Sequence, residues 1–144
     1  MGSYAWIPAS NGSIPPTAVA AGKDVDGSIL YAGRAFHEGD LLPAKISPSQ
    51  GAALVAYGSS EHKVYNYEVL SCSSIAWQSG SGGTVPPNAI VMGTTSDGEK
   101  LYMGRVLHEG SLTPGKIQPS HGVLYIPFGG EEISFSEYEV LVQI

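Results

Sequence analysis

Short apolar-rich runs, broken by Gly, Pro, Asn and Asp, make up this chain, and none keeps the helical spacing of about 3.6 residues long enough to build a helix. "SYAWIP", "TAVAAG", "ILYAGRAF", "ALVAYG" and "YNYEVLS" are rich in Val, Ile, Tyr and Ala and stop at Gly, Pro or Ser, as strands do. "SIAWQS", "NAIVMG", "KLYMGRVL", "VLYIPFG" and "SEYEVLVQI" read the same way further on. "NGS", "VDGS", "SDGE" and "FGGEE" mark turns between them, and "IPP" and "VPP" interrupt strand pairing. The pattern predicts an all-β protein of about ten short antiparallel strands.

The second set of strands repeats the first. Residues 3–73 and 74–144 align without a gap at an offset of 71, with 31 identities in the 71 pairs. Composition alone would give about 4. "GRAFHEGDLLPAKISPSQG" at 33–51 faces "GRVLHEGSLTPGKIQPSHG" at 104–122. Two modules follow, 3–73 and 74–144, each of about five strands. A unit of 71 residues buries little core alone, so the halves are expected to share one across a pseudo-twofold axis.

Composition narrows the functional classes. Of the 144 residues 42% are hydrophobic and 14% charged, a globular balance. A formal charge of −6 disfavours nucleic acid and docking on an anionic membrane. The single cysteine, Cys72, cannot form an internal disulfide, which fits a reducing compartment. "MGSYAWIPAS" lacks the basic and apolar regions of a signal peptide, and no apolar stretch approaches the roughly 20 residues of a membrane helix. The expectation is a cytoplasmic protein, or one exported without a classical signal peptide.

Twelve of the 20 charged residues belong to pairs kept at the 71 offset: Asp26/Asp97, Arg34/Arg105, Glu38/Glu109, Lys45/Lys116, Glu61/Glu132 and Glu68/Glu139. His37/His108 is retained as well, whereas His62 and His121 have no histidine counterpart. Surface charges should drift after duplication, so retention means structure or site. The Asp-Gly pairs read as hairpin turns, and Arg34 and Arg105 as internal partners of Glu68 and Glu139. His37-Glu38-Gly39 lies where a strand leaves the sheet, open to either a turn role or a ligand role. Lys45, between Pro43 and Pro48 in a stiff loop, points to function.

Several chemistries fall away. "DVDG" lacks the Glu of a calcium loop, and "SGSGG" lacks the Lys-Ser/Thr of a phosphate loop. Cys72 has no retained His partner, and "HEG" lacks a second zinc-binding His. Nothing brings Glu38 and Glu109 together as a glycosidase pair. The chain is therefore expected to have neither catalytic activity, nor a cofactor, nor a metal. Polar groups on stiff loops suit a sugar: hydroxyls donate to carboxylates, an ammonium donates to oxygens, and an aromatic ring covers the apolar face. Duplication adds avidity to a weak single site.

The run "YAGRAFHEGDLLPAKISPSQG", with "VDG" before it and "YEVL" after it, resembles the DM-nine repeat family over essentially the whole chain, and its length is close to that of the family's bivalve mannose-specific lectins. The resemblance implies an all-β homodimer that recognises mannose and high-mannose glycans in innate immunity. The module also opens natterin-like toxins, whose pore-forming segment has no counterpart here. By motif, the resemblance assigns mannose contacts to Asp24 and Lys45, with Glu38 and His37 as neighbours. In the second copy Lys116, Glu109 and His108 match, but Thr95 replaces the Asp, so Asp97 or a residue of the other half must supply a carboxylate. The alternatives are a non-catalytic protein-interaction or damage-sensing scaffold, and a lectin using calcium through Asp24 and Asp26.

Overall fold

A computed structural model describes residues 3–144. The first repeat forms β1 (Ala5–Ser10), β2 (Ala20–Lys23), β3 (Ile29–His37), β4 (Asp40–Ser47), β5 (Ala52–Tyr57), β6 (Ser60–Val64) and β7 (Asn66–Ser71). The second forms β8 (Ile75–Ser81), β9 (Val91–Thr94), β10 (Lys100–His108), β11 (Ser111–Gln118), β12 (Val123–Phe128), β13 (Glu131–Phe135) and β14 (Glu137–Gln143) in the same order. The all-β, twice-repeated architecture holds, with seven strands per repeat rather than five.

The additional strands are β4 and β6 with their counterparts β11 and β13. The segment around Lys45 is therefore not a loop: it is β4, antiparallel to β3 from Tyr31↔Ile46 to His37↔Asp40. Pro43 is tolerated because β4 changes its other partner there, from β9 at Leu41 to β5 from Lys45 onward. Glu38 and Gly39 close the β3–β4 hairpin with φ of 48° and 86°, and Glu109 and Gly110 close β10–β11 with 47° and 83°. Two consecutive positive φ values give the turn that matches strand twist, which accounts for the repeated Glu-Gly. β6 and β13 carry polar sequences, "SEHKV" and "EEISF", which hide their strand character.

The repeats interleave. β2 pairs with β3 of its own half and, through Lys23↔Leu112, with β11 of the other; β9 mirrors it through Thr94↔Leu41 on β4. β6 meets β13 at Ser60↔Glu131. The order β4-β5-β6-β13-β12-β11-β10-β9 returns to β4, a closed ring of eight strands drawn from both halves. Gly22 and Gly93 make the crossings feasible: a Cβ there would stand 2.0 Å from the carbonyl oxygens of Leu112 and Leu41. Both halves also feed one buried interior, in which Val19, Ala21, Ala32 and Leu70 pack with Ile90, Met92, Met103 and Leu141. The sharing follows from the small size of each unit.

Candidate functional site

The retained charges mostly serve the fold. Arg34 Nε donates to Glu68 Oε1 at 2.7 Å and its guanidinium lies 3.8 Å from the Trp6 ring centre; Arg105 repeats this with Glu139 at 2.9 Å and Trp77 at 3.9 Å. Asp26 accepts from the backbone and hydroxyl of Ser28, which fixes the β2–β3 turn. Asp97 accepts from the Thr95 hydroxyl. Both carboxyls are held below the usual range, chiefly by these hydroxyls.

Lys45 and Lys116 sit in the middle of β4 and β11, with 3% and 6% of their surfaces exposed. Each faces a carboxylate of its own repeat that the other repeat anchors. Glu61 Oε1 accepts from Gly130 N at 3.0 Å and its Oε2 lies 3.5 Å from Lys45 Nζ. Glu132 Oε1 accepts from Ser59 N at 3.0 Å and its Oε2 lies 3.3 Å from Lys116 Nζ. This reciprocal clasp gives the repeated Lys and Glu a structural role, beyond what the sequence indicated for Lys45.

The two ammonium groups differ in what else they touch. Lys45 Nζ also donates to Thr113 Oγ1 at 3.4 Å and to the Pro127 carbonyl, so three acceptors meet its three N–H bonds. Burial pushes the Lys45 pKa down, with Glu61 and Asp24 opposing it. Leu42 stands where the other half has Thr113, and Lys116 has Glu132 as its one polar partner among the described residues. Its Nζ lies 5.6 Å from the Tyr57 ring centre and 5.3 Å from that of Tyr125. These groups line a cleft of about 290 Å³, with Asp40, Gln118, His121 and Glu132 around it. A larger cleft of about 480 Å³, lined by Tyr4, Pro16, Thr17, Ser71 and Cys72 among others, carries no charged side chain.

The sequence-derived residues divide between the two lysines. Asp24 caps Val25 N at 2.9 Å and acts on Lys45 by its charge. His37 and Glu38 do not join them: the His37 ring packs on Tyr57, 5.0 Å between centres, and so lies behind the Lys116 cleft. His108 and Glu109 are exchanged likewise, with His108 at 4.9 Å from Phe128, whose ring centre lies 5.5 Å from Lys45 Nζ. Asp97 is occupied by Thr95; the carboxylate that the other half brings to the Lys116 cleft, beside Glu132, is Asp40, which accepts from Ser96 N at 2.9 Å. Tyr57, Tyr125 and Asp40 went unnoticed in the sequence because none is retained across the repeats: Phe128, Leu54 and Ser111 stand opposite them. For the calcium alternative, no three His, Cys, Asp or Glu side chains converge to hold a metal among the described residues.

A model of the DM9 repeat matches residues 1–35 and 24–135. Natterin-3 of Thalassophryne nattereri is 32% identical over 90 residues, covering 60% of this chain and 22% of that protein. Natterin-4 of the same fish is 29% identical over 135 residues, covering 91% of this chain and 32% of that protein. The chain thus spans about a third or less of the length of these curated relatives. Among solved structures, the nematode sperm cell motility protein MFP2B superimposes with a TM-score of 0.65 over 100% of this chain and 47% of its own, at 12% identity, a likeness of fold alone.

Proposed function

From the premise that this chain belongs to the DM9 repeat family, we propose that it is a non-catalytic, calcium-independent lectin for mannose and high-mannose glycans. One observation carries the reading. Lys116 is a buried ammonium whose one polar partner among the described residues is Glu132, between two tyrosine rings, in an open cleft that also holds the Asp40 carboxylate. Sugar hydroxyls would donate to Asp40 and Glu132 and accept from Lys116, while a tyrosine face covers the C–H side of the ring. Lys45 with Asp24 would supply a second, weaker site, where a sugar hydroxyl has to displace the Thr113 or Pro127 contact. A homodimer would add avidity to the weak single sites and suit recognition of microbial surfaces.

Titration of methyl α-mannoside is the direct test. Wild type is expected to bind two equivalents, Lys116→Met to lose the stronger, and Lys45→Met or Asp24→Ala to lose the other. Unchanged binding in Lys116→Met together with Lys45→Met would remove both sites from consideration. The scaffold reading draws on the internal pairing of Arg34 with Glu68 and Lys45 with Glu61, and a blank glycan array with folded protein would favour it.

A further inference from the structure

His37 and His62 stack against one another beside the Lys116 cleft, ring centres 4.2 Å apart and planes 30° from parallel. Tyr57, a wall of the cleft, sits edge-on to both, 5.0 Å from His37 and 6.4 Å from His62. His62 Nε2 is 2.9 Å from the Tyr57 carbonyl oxygen, an acceptor, so that nitrogen carries a proton and donates it. His37 Nε2 is buried and makes no hydrogen bond; Glu38 Oε2 stands 3.5 Å away, outside bonding geometry. The other half has no such pair. His108 lies between Phe128 and Phe135, and Ile133 takes the place of His62.

Neutral imidazoles stack, but imidazole becomes a cation in the range of roughly pH 5 to 8, and two cations at this separation repel. The ionisable groups around the pair are Glu38 in the hairpin turn, Asp40 opposite His37 on β4, and Tyr57, with Lys116 beyond the Tyr57 ring. Glu38 Oε2 lies 3.5 Å from His37 Nε2 and its side chain is 67% exposed, so solvent screens it; Asp40 is the second carboxylate, on the strand paired with that of His37. Doubly protonated, the stack opens, and Tyr57 loses the support of both rings.

We propose that the His37–His62 pair positions Tyr57, and thereby makes ligand binding in the Lys116 cleft weaken as the solution is acidified. The inference rests on the sugar-binding reading for its ligand, but not for its mechanism. Two measurements between pH 8 and 5.5 keep them apart: the NMR signals of the histidine and tyrosine rings, and the affinity for methyl α-mannoside. In wild type the Tyr57 signals should move in step with the histidines, and affinity should fall about tenfold, as it does when only about a tenth of the molecules keep the binding-competent arrangement. His62→Ile, which installs the residue of the second half, and His62→Gln, which keeps a donor for the Tyr57 carbonyl, should both flatten that dependence. Tyr57 signals that stay still while both histidines titrate, or a His62→Gln protein with the wild-type pH profile, would overturn the proposal. Loss of mannoside binding at every pH would sink the lectin reading alone, and the Tyr57 titration would still decide the positioning role.

Discussion

Lys45 and Lys116 occupy one position of the repeat and differ in the acceptors they meet: Thr113 and the Pro127 carbonyl bond Lys45, whereas Leu42 takes the place of the threonine in the other half. A hydroxyl and a carbonyl complete one ammonium, and their lack leaves the other short of acceptors. Replacing Lys45 by Met leaves Glu61 half-buried without its cation, and the expected destabilisation is about 3 kcal/mol by urea unfolding. The pH dependence has a definite sign. Because burial lowers the Lys45 pKa from 10.5, the unfolded chain binds more protons in the interval just below that value, and the contribution of Lys45 to stability rises with pH across it. Tyr67 and Tyr138, whose pKa values burial raises above 10.0, work the other way beyond pH 10. They are common to both proteins. The wild-type stability minus that of Lys45→Met should therefore grow between pH 8 and 10; a flat difference would mean the ammonium is better hydrated than its 3% exposure implies.

At the scale of the element, the exchanged strands β2 and β9 depend on a glycine at each crossing. Gly93→Ala should cost about 3 kcal/mol or more, because the added methyl meets the Leu41 carbonyl, backbone that cannot turn aside. Gly98→Ala, in open space at φ 92°, should cost only the left-handed backbone penalty of about 1–2 kcal/mol. Thermal melts of the two variants check the contrast. The same strands show what was readable beforehand. "ILYAGRAF" and "YNYEVL" announce themselves because one face of each carries no charged residue and aromatic and aliphatic residues dominate the rest. β4 hides behind Pro43 and a lysine, and β6 behind Glu61, His62 and Lys63, although pairing across the ring orders them as strands. Lys116 and Glu132 could be found because each has a counterpart 71 residues earlier. Tyr57 and Asp40 could not, since an interleaved topology carries them to the opposite half and no local pattern encodes that crossing.

At the scale of the whole molecule the ring closes only with strands from both repeats, so the chain is expected to unfold as one cooperative unit. A fragment of residues 3–73 lacks the β11 partner of β2 and the β9 partner of β4, and leaves Leu42, Ile46 and Val69 without Leu101. As a monomer it should give no cooperative melt by circular dichroism; a sharp transition in a monomeric fragment would contradict the shared core. The crossed anchoring of Glu61 by Gly130 and of Glu132 by Ser59 extends this dependence to the surroundings of Lys45 and Lys116. Altering what the Lys116 cleft accepts thus meets an unusual constraint: Asp40, Tyr57 and Ser59 line it from one half and Lys116, His121 and Tyr125 from the other, so a library confined to one half of the gene rewrites only part of its wall. Diversity has to be introduced on both sides of the duplication at once, and selected as a matched set.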